Sequence, residues 1–316
     1  MIIHADDYGI TVEQSRAILA LSDLCGGRGP LSSASIFANS PAFPQSVELI
    51  RPFLSDPGKE AEGGDCKSFS LGLHFNAVEG PCCSDPAQIP LLVDKRGMFR
   101  NDFARLLVLA HGRARSQLHK QIRLECLAQL ERFFDALPRM RGNLQIDSHQ
   151  HIHAIPLVFD AMMDAIRESG ARLARLRIPD EPLAPHRLCG TLQRAGAANR
   201  LKAFVLHTLC RHARKRVPRG CITPLFCGVV LSGRMYGATS ALVQAFEREA
   251  QQRAATGQHD RYDIDAQAEI LFHPIAVPLD RCPDPKNLPF ATACASRERD
   301  AEAQAIVRLG KELGAS

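Results

Sequence analysis

Short apolar runs alternate with longer stretches of helical period along almost the whole chain. Ile2-Ile3-His4-Ala5 reads as a strand that runs into Asp6-Asp7-Tyr8-Gly9. Thr11 to Leu24 follows as a helix, with Ile18, Leu21 and Leu24 on one face and Thr11 placed to cap the first turn. Ser33 to Ala38, Ser68 to Phe75, Leu144 to Ile146, Leu173 to Ile178, Ile222 to Leu231 and Ala268 to Phe272 are the further strands expected. Ala42 to Phe53, Gln117 to Leu137, Pro156 to Ser169, Ala241 to Ala254 and Arg297 to Leu313 carry helical periodicity. Asp56 to Lys67 is polar and Gly-rich, and Gly80 to Met98, broken by Pro81, Pro86, Pro90 and Gly97, reads as a long loop. Strands alternating with helices pair in parallel through right-handed crossovers, in a barrel or in an open sheet. No linker or repeat divides the 316 residues, so one α/β domain is expected.

The polar clusters fall at a consistent place in this pattern. Asp6-Asp7, His74, His149 and His273 each follow directly on an expected strand. In parallel α/β folds the carboxyl ends of the strands carry the active site.

Bulk composition narrows the function classes. A net charge of +5 is too small to imply nucleic acid, and the absence of Trp with only three Tyr is poor material for stacking bases. No nucleic-acid partner is expected. The 11 Cys cannot all pair within the chain and include no C-x-x-C, so reduced thiols are expected rather than a disulfide framework or zinc knuckle. No apolar window is long enough to span a membrane, and the opening residues leave no room for a signal peptide; a cytoplasmic protein is the expectation. Basic residues crowd into Asn199 to Arg219, where Leu201, Val205 and Leu209 share one helical face. That stretch suits an outer helix with a solvated basic face, or alternatively peripheral contact with an anionic membrane.

The residues themselves suggest metal chemistry. Neighbouring carboxylates such as Asp6 and Asp7 repel each other, and a bound cation relieves this. One carboxylate then ligates while the other stays free as a general base. The alternative is helix capping. In Asp147-Ser148-His149-Gln150-His151-Ile152-His153 three imidazoles recur at i, i+2 and i+4 after a strand. They share one face if the segment is extended, and Asp147 is a natural orienter. His74, between apolar residues, reads as a ligand or as a satisfied core histidine. His273, before Pro274, reads as a general acid or as a turn residue. Asp, His and His from separate strands leave open positions for water and substrate.

Together these segments resemble the YdjC-like carbohydrate deacetylases. The matching stretches are His4-Ala5-Asp6-Asp7-Tyr8-Gly9, Leu71-Gly72-Leu73-His74-Phe75 with Glu79-Gly80, Ile146 to His153, and Phe272-His273-Pro274. Arg96-Gly97-Met98-Phe99 and Arg177 to Pro182 lean toward the hopanoid-biosynthesis-associated branch rather than the chitooligosaccharide one. The resemblance implies a distorted TIM-like (β/α) barrel over residues 1–316. It implies one divalent metal, Mg or Zn foremost, held by Asp7, His74 and His149. Asp6 is then the general base and His273 an acid or charge stabiliser, with Asp147, His151, His153 and Arg177 supporting them or binding substrate. The implied reaction removes an N-acetyl group from an amino sugar, oligosaccharide or glycolipid. Two rival readings stand beside it: a metal-dependent hydrolase of another ester or amide, and a non-catalytic carbohydrate- or lipid-binding barrel. A homodimer is left open. Two departures from the family stand out: Ile275 replaces a small residue after His-Pro, and the basic stretch of about Ala184 to Gly220 reads as an insertion.

Overall fold

The structure, a computed structural model, describes residues 1–22, 29–54, 69–256 and 263–314. Seven strands form a closed barrel: β1 Ile2–Tyr8, β2 Ser33–Ile36, β3 Ser70–Phe75, β4 Leu144–Ser148, β5 Leu173–Leu176, β6 Ile222–Cys227 and β7 Asp263–Phe272. Every neighbouring pair is parallel, and β7 returns to β1 with Ile2 opposite Glu269 and Ala5 opposite Phe272. The α/β barrel expectation therefore holds. The weakest seam is β5 to β6, joined by a single register pair, Arg175 with Ile222.

Strands covered on both faces are buried throughout, as β1 and β2 are. Their outer faces meet helices with one apolar stripe. The long helix α4, Arg115–Ala136, buries Leu118, Ile122, Cys126, Leu130 and Phe133, a run at three- and four-residue spacing. Caps follow the side-chain chemistry. Thr11 accepts from the Gln14 backbone N–H (3.1 Å) at the start of α1, Val12–Leu19. Asp102 likewise accepts from Arg105 (2.7 Å) at the start of α3, Phe103–His111.

The remaining helices are α2 Phe43–Ile50, α5 Pro156–Glu168, α6 Leu183–Leu188, α7 Ala197–Arg214, α8 Ser240–Thr256, α9 Leu288–Cys294 and α10 Arg297–Gly314. Periodicity missed α3, α6 and α9, which are only six to nine residues long. The expected helix from Thr11 stops at Leu19, and Leu24 lies outside the described residues, as does the polar segment 56–67.

Residues 184–220, the basic stretch, form α6, a 3-10 turn and α7 and fill the β5-to-β6 crossover. The buried face of α7 is Leu206, Cys210 and Ala213. Of the stripe read from the sequence, Leu201 is 64% exposed while Leu209 packs at the edge of the core.

A main core lies between strands and helices. A smaller apolar cluster of Ile10, Phe37, Val277, Cys282, Phe290, Ala291 and Cys294 sits beside the carboxyl ends of the strands. Phe37 packs edge-on against His74 and His149, with centroids 4.9 and 5.1 Å apart, so this cluster roofs the polar site.

Candidate active site and metal centre

In a regular strand Asp6 and Asp7 would point to opposite faces. Here the register of β1 against β2 shifts between Ala5 and Tyr8, and Asp7 takes a left-handed φ of +63°. Asp tolerates that conformation better than most residues. Asp6 thus enters the barrel interior while Asp7 turns toward β3 and β4.

Asp7 Oδ1 stands 3.1 Å from His149 Nδ1 and 3.5 Å from His74 Nε2, and the two nitrogens are 3.3 Å apart. Ligand atoms around one small divalent ion, each about 2.1 Å from it, are spaced by about 3.0–3.4 Å. Asp7 Oδ1 is buried and makes no well-directed hydrogen bond, its polar neighbours being these two imidazole nitrogens, a cost a protein rarely bears without a further partner. The donor set and this orphaned oxygen both fit a divalent cation.

The far side of each imidazole is fixed. His74 Nδ1 lies 2.5 Å from Asp147 Oδ1, and His149 Nε2 lies 2.5 Å from Glu79 Oε2. Asp147 therefore orients His74, and Glu79 does the same for the neighbouring His149. Arg299 of α10 donates to Asp7 Oδ2 at 2.6 Å. Burial pushes both imidazoles down, but the surrounding carboxylates outweigh it. Asp6 and Asp147 raise His74 to about 9; Glu79 and Asp7 raise His149 to about 10. Both rings are cationic in the metal-free protein at neutral pH.

Asp6 sits in a different environment. Arg177, just beyond β5, grips it at two points, 2.9 and 2.8 Å, and Ser35 donates to it at 3.0 Å. Burial pushes its carboxyl up, but Arg177 and His74 hold it well below the usual carboxylate range. Arg177 also meets Asp147 at 2.9 Å and Glu269 at 2.5 Å, so one guanidinium serves three carboxylates. His273 Nε2 is 3.9 Å from Asp6 Oδ2. Its side chain is 28% exposed, yet the surrounding protein pushes its imidazole down to about 4, so it is neutral.

The three histidines after β4 do not share one face. Residues His149–Ala154 form a kinked 3-10 turn in which Gln150 and His151 both have positive φ, +51° and +57°. His149 turns to Asp7 and His74. His151 lines the cavity and packs edge-on against Phe226, with centroids 5.4 Å apart. His153 points into the core, where its ring lies 2.5 Å from Ser148 Oγ and 2.8 Å from the Arg177 carbonyl. It braces the backbone that presents Arg177.

A cavity of about 440 Å³ opens beside the centre, lined by Asp6, Asp7, His149, His151 and His273. Lys202 of α7 lines it too. Ile275, where a change of the site wall was expected, stands half-buried against the core at a φ of +70°, rare for a β-branched residue. Its N–H donates to the Arg299 carbonyl at 3.2 Å, steadying the residue that holds Asp7.

Two other clusters have ligand-type side chains but no free acceptor. His4, Asp6 and Asp147 are already engaged by Arg177, Ser33 and Ser35. In Glu181, His186 and Cys227, Glu181 accepts from His186 (2.7 Å) and from the N–H groups of Val229 and Val230 (2.6 and 2.7 Å). Sequence reasoning gave no role to Glu79, Glu269, Arg299 or Lys202. Only Glu79 carried a signal, as part of a matching motif. All nine described cysteines are free thiols; Cys25 and Cys66 lie outside the described residues.

Comparison with known proteins points the same way. The family model described as YdjC-like protein matches residues 1–308. A carbohydrate deacetylase of Geobacillus stearothermophilus is 30% identical over 193 residues, 59% of this chain and 62% of that protein. Carbohydrate deacetylases of Danio rerio and Mus musculus are 24% and 28% identical, over 58% and 56% of this chain and 50% of each relative. The matches thus span half to three-fifths of these relatives' length. A crystal structure from Enterococcus faecalis, provisionally described as a cellobiose-phosphate cleavage protein, shares the fold. It has a TM-score of 0.57 and 15% identity, covering 99% of this chain and 93% of that one.

Proposed function

The chain belongs to the YdjC-like family, and from that membership we propose that it is a metal-dependent carbohydrate deacetylase acting on an N-acetylated amino sugar, free or within an oligosaccharide or glycolipid. The observation that carries this is the trio Asp7, His74 and His149 with its orphaned oxygen, set beside a carboxylate that stays outside the trio. Relatives named carbohydrate deacetylase supply the substrate class.

Asp7, His74 and His149 would hold one divalent cation, Mg or Zn, which supplies Lewis acidity toward water and toward the acetyl carbonyl. Asp6 takes the proton of the attacking water. An anion so well stabilised by Arg177 accepts a proton only from a strongly acidified donor, and releases it readily. His273, neutral and 3.9 Å away, is placed to receive that proton and hand it to the departing nitrogen. A neutral imidazole cannot act as the acid without such a supply. The roof of Phe37 and Phe290 limits water around these charges.

Acetate release from a panel of N-acetylated sugars tests the proposal. We expect release that a chelator stops and added Mg or Zn restores. No release from any sugar, or release indifferent to chelator, would overturn it.

A further inference from the structure

The cavity contains one cation that the proposed chemistry does not use. Lys202 projects from α7, in the β5-to-β6 crossover, into the same space as Asp6, His151 and His273. The two arginines around the centre each have carboxylate partners: Arg177 with Asp6, Asp147 and Glu269, and Arg299, through Nη2, with Asp7. The Lys202 ammonium has no hydrogen bond or ion pair among the described residues. It is half-buried, and burial works against its charge, with Glu181 and Asp6 in partial opposition. Neither carboxylate is free to serve it. Both oxygens of Glu181 are taken by His186 and by the Val229 and Val230 N–H groups. Asp6 has its charge already compensated by Arg177, which contacts both of its oxygens.

Lysine is seldom drawn out of water without a partner. Ser232 and Gly233 line the cavity, and a Cβ built on Gly233 would meet nothing within 4 Å. Lys202 lines this cavity together with His151 and His273. The metal ligands are served by other groups.

We infer that Lys202 is a specificity residue that pairs with an anionic substituent, a carboxylate or a phosphate, on the acetylated sugar. The inference rests on the deacetylase proposal for the acetyl group, but the pairing itself is a binding property and is tested without turnover. Calorimetry compares glucosamine, glucosamine 6-phosphate and muramic acid, with acetate alone as a further ligand, on the wild-type protein, Lys202→Met and Lys202→Arg. We expect at least one anionic sugar to bind the wild type about tenfold more tightly than glucosamine. Lys202→Met should bind the same pair within about threefold of each other, and Lys202→Arg should keep the preference. Tight binding of the phosphate alone or of the carboxylate alone names which anion is read. Equal binding of charged and uncharged sugars by the wild type, a preference that survives in Lys202→Met, or a Lys202-dependent response to acetate alone would overturn the inference. Failure of the deacetylase proposal would appear separately, as no acetate release from the N-acetyl forms of these sugars.

Discussion

The metal proposed at Asp7, His74 and His149 must displace protons from two imidazoles. Each ring is held cationic by carboxylates on both sides, with values raised to about 9 and about 10. A cation needs their lone pairs, so binding at pH 7 should release close to two protons. Apparent affinity should rise by up to about 100-fold per pH unit between pH 7 and 9 and level off above the higher value. The sign for stability follows from the same shifts. The metal-free fold binds more protons than the unfolded chain between about 6.5 and 9–10, so this contribution is present below 6.5 and lost as pH rises through that window. Calorimetry in buffers of different ionisation enthalpy counts the protons; a release near zero at pH 7 would contradict the assignment. At this scale much was legible in the sequence. Asp6, Asp7, His74, His149 and His273 do converge on one cavity wall or its edge. The supporting shell was not legible, because Arg299 lies 292 residues from its partner Asp7 and no local spacing connects them.

Elements were legible in type more than in extent. The strands that end in polar clusters were visible because both faces are buried, which leaves continuous apolar runs. The conformation of the segment after β4 was not legible, because two successive left-handed residues, Gln150 and His151, leave no trace in hydropathy. They split three regularly spaced imidazoles among the metal centre, the cavity and the core. Close packing at the end of β6 gives a test at this scale. A Cβ on Gly228 would lie 2.7 Å from Leu271 Cβ, on β7. Gly228→Ala should therefore destabilise the fold by about 1–3 kcal/mol, measured by denaturant melts. An unchanged midpoint would show that β6 and β7 are looser there than drawn.

Across the whole molecule, the barrel interior is held by charge as well as by apolar packing. Arg177 follows β5 and joins Asp6 of β1, Asp147 of β4 and Glu269 of β7. Removing it strands three buried carboxylates. Arg177→Met should cost about 3–5 kcal/mol at neutral pH, with part of the loss recovered in acid as the carboxyls protonate. A loss below about 1 kcal/mol would mean that the network relaxes without it. The alternation of strands and helices foretold seven parallel strands, in a barrel or an open sheet; closure of the barrel and the reach of α7 into the cavity depend on packing between distant segments. The account turns on one division of labour, in which Asp7, His74 and His149 hold the metal while Asp6 moves the proton. Metal content and acetate release measured together on purified Asp6→Asn and His149→Ala test it most directly. Asp6→Asn should keep one metal per chain and lose turnover, whereas His149→Ala should lose the metal. Equal metal loss in both variants would contradict it.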